Sequence, residues 1–456
     1  MSSNRVLLEA EAHHRRRALA ALLTADAEGS DEALPRSTPL LWGLALAVGV
    51  LVGVLVSGLL TTTPPPGWDD GRLVVARGSA ARFVGLRGTL YPVLNTTSAR
   101  LVLPVTSGLT VQVVDDASIA AAPHGPTLGI PGAPDELPPA AGLLPSGWVA
   151  CLDGSQVRTT LSSRAAPPRS VGLAMTVRVA GAGGTTGHLL ASGRRFALPN
   201  GHEEPVTRFI GLSAPPLAAP QRWVDLFTEG TPLDHRAFRF PSDSPAGQPP
   251  PGVTVGGRAQ QVGQLLANTD HAGALSVLLA DGTVPLTPFG GAVYRATAPR
   301  AMADPRPVTD VELASTPISA VRGFVPDDWP RTLSAAASGT PCARLDAAGG
   351  RAALIDLLLQ DRDSLWVHPP GGLPVTVDPG HGAVVRAGTS PGVGRVFLVD
   401  ASGVACPVAD PSSETLARLG YATVQPLSVP SVPSPWLALF RPGPELSREA
   451  AGGPSG

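Results

Sequence analysis

The chain has 456 residues, 43% of them apolar, and its 34 basic and 36 acidic residues leave a formal net charge of −2. That length exceeds one ordinary domain and predicts two or three compact units, while the near-neutral balance gives no electrostatic footprint for nucleic acid. Glycine (52) and proline (50) together point to short strands and many turns rather than long helices.

Residues 1–38 form the first segment. Within it "NRVLLEAEAHHRRRALAALLT" (4–24) has helix-forming composition and a partial apolar face from Val6, Leu7, Ala10, Ala18, Ala21 and Leu22, interrupted by Arg15–Arg17. It predicts a short amphipathic helix. From Leu40 to Leu60 runs "LLWGLALAVGVLVGVLVSGLL", 21 residues without a charge. At about 1.5 Å per residue this run spans roughly 30 Å, the hydrocarbon thickness of a bilayer. We read 39–60 as one transmembrane helix and not as a signal peptide, because the run is long for a signal and 39 residues precede it. Ala45, Gly49, Gly53 and Ser57 recur every four residues on one face, a stripe that lets a second helix approach closely. All three cysteines follow the run. With the Gly/Pro-rich bulk beyond it, this gives a cytoplasmic N-terminus and an exported region 61–456.

"TTTPPPG" (61–67) is a stiff spacer. After it, one pattern occurs four times: an apolar strand, a glycine turn, a second strand and a helix cap. Turn and cap fall at Gly88 and Asn95, Gly193 and Asn200, Gly282 and Thr287, Gly403 and Asp410, seven residues apart in three copies and five in the third. Pro92, Pro285 and Pro407 sit in the second strands and suggest sheet edges. The copies are too widely spaced for a tight solenoid. The expected class is therefore α+β: an N-terminal membrane helix followed by an elongated extracytoplasmic region of four β-β-α repeats flanking a β-rich central domain. Boundaries are 61–117 for spacer and repeat one, 181–245 for repeat two, 246–300 for repeat three, and 391–456 for repeat four and the tail. The central domain takes 118–180 and 301–390, including the strand-like "VGLAMTVRVAG" and "SLWVHPPGGLPVTV". Cys151 lies in one part and Cys342 in the other. A bridge between them would staple the two parts and leave Cys406 as the free thiol; three reduced, buried cysteines are the alternative.

"GTLYPVLNTTSARLVL", "LGIPGAPDELP" (128–138), "VLLADGTVPLTP", "VDPGHGAVVRAG" (377–388) and the closing "LARLGY…WLALFRPGPEL" resemble the EccB family, the membrane-anchored component of actinobacterial type VII (ESX) secretion systems. The resemblance covers nearly the whole chain. It implies a structural core subunit of an inner-membrane complex, with EccC (the motor ATPase), EccD, EccE and the mycosin protease as partners, other copies of itself beside it, and possible contact with peptidoglycan. It also implies that Cys151 and Cys342 form the family's structural disulfide. Cys406 departs from the family pattern.

Catalytic signals are weak. A P-loop needs a lysine on the phosphates, and the chain has no lysine; all 34 basic residues are arginine. "GAGGTTG" (181–187) reads as a flexible turn. "GTSPG" (388–392) matches a nucleophile elbow, but the residue after Ser390 is Pro391, which has no N–H for an oxyanion hole. "GHEEP" (201–205) lacks the second histidine of a zinc helix, leaving His202 as a surface residue. His368 and His381 lie in loops without carboxylates spaced for a metal. We expect no catalytic residue, cofactor or metal, and an assembly subunit as the function; an ATP-hydrolysing or cell-wall-binding membrane protein of the same apparatus is the alternative.

Overall fold

The computed structural model describes residues 64–454 apart from 105–108, 166, 243–245, 249–252, 258–259, 337, 349–351 and 370–371, and before them only residues 11, 14, 43, 46, 47 and 50. The packing stripe Ala45, Gly49, Gly53 and Ser57, and nearly all of the amphipathic segment and the apolar run, lie outside the described residues. Among the described residues no helix is long and apolar enough to cross a membrane.

The first unit sets a pattern. Strands β1 (Arg72–Ala76), β2 (Arg82–Leu86) and β3 (Thr89–Pro92) form an antiparallel meander. Helix α1 (Thr96–Val102) follows, β4 (Val111–Val114) returns parallel to β1, and a short helix α2 (Asp116–Ala121) closes the unit. Because β1 lies between β2 and β4, it is apolar on both faces: Leu73 packs with Ala99 and Leu103 of the α1 segment, Val74 and Ala76 with Val114 and Ile119. The β2–β3 turn places Arg87 (φ 50°) and Gly88 (φ 79°) both left-handed, the pair of positive φ angles that a two-residue hairpin requires when its twist matches the strands. Ser192 (φ 51°) and Gly193 (φ 72°) repeat it in the second unit.

After β5 (Trp148–Asp153) and β6 (Gln156–Leu161), the second unit has the meander β7 (Leu173–Gly181), β8 (Gly184–Ala191) and β9 (Arg194–Ala197), then α3 (Glu203–Phe209), β10 (Leu217–Ala218), α4 (Gln221–Val224) and β11 (Thr228–Glu229). The third has β12 (Leu265–Asn268), β13 (Leu275–Leu279) and β14 (Gly282–Pro285), then α5 (Pro288–Thr297), α6 (Arg300–Ala303), β15 (Arg306–Val308) and α7 (Asp310–Ala314). Strands β16 (Ser334–Ala335), β17 (Thr340–Asp346), β18 (Leu354–Gln360) and β19 (Val375–Val377) precede the fourth unit. That unit has β20 (Ala383–Ala387), β21 (Val396–Val399), β22 (Val404–Val408), α8 (Ser413–Arg418), β23 (Ser431–Val432), α9 (Ser434–Leu437), β24 (Arg441–Pro442) and α10 (Arg448–Gly452). In every unit the strand after the main helix pairs parallel with the first meander strand.

The central sheet has the order β18-β17-β5-β6-β19. Several boundaries therefore move: α2 carries the first unit past residue 118, and β15, which pairs with β12, carries the third unit through α7 to Ala314, both into stretches assigned from the sequence to the central domain. The strand in "VGLAMTVRVAG", assigned from the sequence to the central domain, is β7 of the second unit, because the glycine turn at 193 is the second turn of a three-stranded meander and β7 pairs with β8 through the preceding turn. Likewise Ala383–Ala387 begins the fourth unit instead of ending the central domain. Pro92 and Pro285 end outermost strands, but Pro407 lies in β22, which β24 flanks.

Shared cores give the units an order. The first and fourth share a core of Leu101, Ile130, Leu398, Leu416 and Tyr421; the fourth, the centre and the second share one around Trp436, Trp148 and Trp223; the second and third share one around Phe196, Phe289 and Trp329. The sequence of contacts is first, fourth, centre, second, third.

Candidate functional site

The centre is built on a pair of opposed cysteines. Strands β5 and β17 are antiparallel neighbours, and their register places Cys342 directly opposite Cys151. Their Cα atoms are 3.9 Å apart and the sulfurs are bonded. Such close approach belongs to the non-hydrogen-bonded pairs of an antiparallel ladder. Both residues are fully buried, against Val149, Leu358, Val367 and the partly buried Trp366. Alternation sends Trp148, Ala150, Ala343 and Leu345 to the opposite face and into the central core. One face of the seam is thus covalently fixed while the other receives the second and fourth units. The bond closes a separation of 191 residues that contains both the second and the third units.

Each inner unit enters that core with a tryptophan. Trp223 of α4 and Trp436 of α9 are fully buried. The Trp223 indole N–H donates to the carbonyl of Ala150 at 2.9 Å, and that of Trp436 to the carbonyl of Leu226 at 3.0 Å. Each therefore satisfies its one polar atom on a neighbouring unit. Trp148 packs edge-on against Phe440, with ring centroids 5.2 Å apart. A signal for these segments was present in the sequence but went unread. "PQRWVDLFTEG" (220–230) and "PSPWLALFRPG" (433–443) share Pro-x-x-Trp-x-x-Leu-Phe-x-x-Gly.

The turn and cap residues do not behave alike. Asn95 caps α1, its side chain accepting from the Ser98 N–H at 2.9 Å while its amide donates to Ile130 O. Thr287 caps α5 by accepting from the Gly290 N–H at 3.0 Å. Asn200 does not cap α3. Gly201 (φ 79°) turns the chain after it, and the helix begins at Glu203 behind His202, which makes no side-chain cap bond. Asp410 is not a cap either. Pro411 follows it and holds it out of the helix, and Ser412 accepts from the Thr415 N–H instead. Gly282 opens β14 and Gly403 closes the turn into β22.

Several carboxylates are held ionised by local donors. Arg82 beside Asp135, with Thr96 donating as well, depresses that carboxyl below the usual range. Asp378 is also lowered: burial opposes it, but the hydroxyls of Ser162 and Ser163 and the Ser163 N–H outweigh burial. Both serve joints, Asp135 tying the loop beyond the first unit to α1 and Asp378 tying β6 to the chain after β19. Cys406 is buried, and burial followed by the charge of Asp400 pushes its thiol up to about 12.

The residues weighed for catalysis are dispersed. The carbonyl of Ser390 accepts from Val393 N and from Ser431 Oγ, so it braces a loop. "GAGGTTG" is the β7–β8 hairpin, with Gly181 opposite Gly184. The His381 ring lies 3.0 Å from Pro379 O, and the His368 N–H donates to Ser364 O. Among the described residues no group of three His, Cys, Asp or Glu is placed to hold a metal.

Comparison with known proteins agrees with this architecture. The ESX-2 secretion system ATPase EccB2 of Mycobacterium tuberculosis is 29% identical, with 89% of this chain and 87% of that protein aligned. The ESX-3 secretion system ATPase EccB3 of the same organism is 28% identical, over 91% of this chain and 82% of its own length. Among solved structures, an EccB3 dimer from the ESX-3 core complex superposes with a TM-score of 0.62 at 24% identity, covering 84% of this chain and all of the other. A chain of an intact ESX-5 inner membrane complex superposes with a TM-score of 0.60 at 22% identity, covering 100% of this chain and 96% of that one. The family model described as "Type VII secretion system ESX-1, transport TM domain B" matches residues 2–453, so the chain belongs to the EccB family of type VII secretion systems.

Proposed function

We propose that this protein is a structural core subunit of a type VII secretion membrane complex, anchored by the apolar run at 39–60 with its cytoplasmic segment on one side and residues 61–456 on the other. The family match across residues 2–453 carries the reading. The architecture supports it: four meander units, which we take as copies of one repeat, are fused through shared buried cores and a disulfide seam into one scaffold. Residues 61–456 contain 29 arginines and 30 acids, a balance suited to packing among protein subunits. The stripe Ala45, Gly49, Gly53 and Ser57 supports helix packing within the bilayer. The partners are further copies of the chain, the EccC-type motor ATPase, EccD, EccE and the mycosin protease.

Affinity recovery of the full-length protein in mild detergent tests this. Co-recovery of a motor ATPase and multi-span proteins is expected, weakened when Gly49 and Gly53 are both replaced by Leu. Recovery of the chain with no membrane partner would count against it. The second reading, nucleotide hydrolysis, is favoured by the names of the relatives, which call them ATPases. In this chain no lysine exists to serve a Walker site. Magnesium-dependent ATP turnover by the purified chain, abolished by one substitution, would establish that reading instead.

A further inference from the structure

The third unit contains a cleft of about 840 Å³. One wall is the segment before β12, from Val255 to Gln264; the other is α6 with β15. Two glutamines tie the walls together. Gln261 Nε2 donates to Ala301 O at 2.9 Å, and Gln264 Nε2 donates to Asp304 O at 2.8 Å. The joint behind them is close. The Tyr294 hydroxyl of α5 donates to the carbonyl of Gly263 at 2.5 Å, and a Cβ on Gly263 (φ 91°) would fall 2.6 Å from Met302 Sδ.

The floor carries unused acceptors. Gln264 is 1% exposed. Its amide hydrogens go to two carbonyl oxygens, those of Asp304 and Leu265, which fixes the amide orientation and leaves Oε1 for the cleft it lines. Among the described residues, neither that oxygen nor the buried Gln260 Oε1 receives a hydrogen bond. Buried acceptors without a donor are unfavourable and uncommon. A water takes about 30 Å³ of liquid, so the cleft is sized for a ligand of many atoms, within the roughly 300–1,000 Å³ range of small-molecule sites. Arg300 and Arg306, both exposed, stand at its mouth. Of the two lining acids, Glu312 is turned back on Thr309, accepting from its N–H at 2.8 Å and from its hydroxyl at 3.2 Å. The free charge at the mouth is therefore two guanidiniums against the carboxylate of Asp304.

These groups select a ligand. It must present N–H or O–H donors to two amide oxygens, aliphatic surface to Val255, Pro305, Pro307 and Val308, and an anion to the arginines. No aromatic side chain among the described residues lines the cleft, so a nucleobase finds no stacking platform there. An extended peptide with a free carboxyl end has all three features: main-chain N–H groups, small aliphatic side chains, and a planar anion that guanidinium groups grip bidentately. We propose that this cleft binds the carboxyl-terminal end of a peptide, with main-chain N–H groups donating to Gln260 Oε1 and Gln264 Oε1 and the terminal carboxylate against Arg300 and Arg306. Such a site does not depend on the scaffold reading.

Photo-crosslinking of the full-length protein in mild detergent tests it. The probe is acetyl-Ala-photoleucine-Ala with a free carboxylate, and mass spectrometry maps where its diazirine attaches. Saturable attachment to the two walls of the cleft is expected. Excess acetyl-Ala-Leu-Ala should suppress it, and the same peptide as its carboxyl amide should compete at least tenfold less well. Arg300→Gln with Arg306→Gln, both at exposed positions, should abolish that preference for the acid, and Gln260→Leu should weaken attachment severalfold with the melting curve unchanged. Arg322→Gln, an exposed arginine outside the cleft, should do neither. Competitors ending in L-Ala and in D-Ala separate a protein chain end from a D-amino-acid peptide, and displacement by either supports the site. Attachment that is unsaturable or lies elsewhere, equal competition by acid and amide, or displacement by maltotriose and not by the peptides would overturn the proposal; with no attachment at all, the cleft holds water only and the proposal fails.

Discussion

Removing the disulfide tests whether the seam constrains the whole scaffold. The substitution is Cys151→Ala with Cys342→Ala, which leaves two small apolar groups in a site already sealed by Val149, Leu358 and Val367. The bond closes 191 residues. The loop-entropy estimate for that length is about 5 kcal/mol, mostly from restricting the unfolded chain. For roughly 390 residues melting as one unit, at about 2.1 cal/mol/K per residue, this corresponds to a fall in Tm of about 6 °C. Near-UV circular dichroism melts of wild type and variant, each with and without reductant, provide the assay. Reductant should bring the wild type down to the variant and leave the variant unchanged. A wild-type shift below about 2 °C would refute the reasoning. It would mean that the second and third units, enclosed by the bond, unfold independently of the strands that carry it.

The tryptophan joints should be costly to lose: Trp436→Ala and Trp223→Ala should each cost about 3–5 kcal/mol in urea unfolding, since each removes a fully buried indole and orphans a carbonyl on a neighbouring unit. Burial, reinforced by Arg195 and partly offset by Glu229, lowers the His188 pKa. The unfolded chain therefore binds the proton more readily, and stability should rise with pH from the depressed folded value up to about 6.5; His188→Gln should flatten that rise in a pH series of melts. Cys406, buried and with its thiol pushed up to about 12, should resist maleimide in the native protein and label promptly in urea, so prompt native labelling would contradict its placement.

Much of each unit was legible because local chemistry decides it. Arg87-Gly88 and Ser192-Gly193 impose hairpins whatever surrounds them, and Asn95 and Thr287 stand three residues before the N–H groups they cap. Reading failed where a local signal was ambiguous. Asn200 and Asp410 have capping side chains at the expected spacing, but Gly201 and Pro411 displace the helix start by two residues. The central domain was drawn too large because an apolar strand carries no mark of which sheet will take it: β7 and β5 read alike, and only pairing separates them. The cysteine register is likewise a tertiary fact, since a slip of one residue would turn the sulfurs to opposite faces.

Four units of one topology are nevertheless not interchangeable, and a single position shows why. Three residues after the N-cap of the helix that follows each returning strand stand Ser118, Trp223, Glu312 and Trp436. The second and fourth units place an indole there and bury it in the central core; the first and third place polar groups, and Glu312 turns back to complete a capping box with Thr309. Swapping these choices would bury a carboxylate in the core or expose an indole at an end, each unfavourable by several kcal/mol. The order first, fourth, centre, second, third is thereby written into which units can be interior.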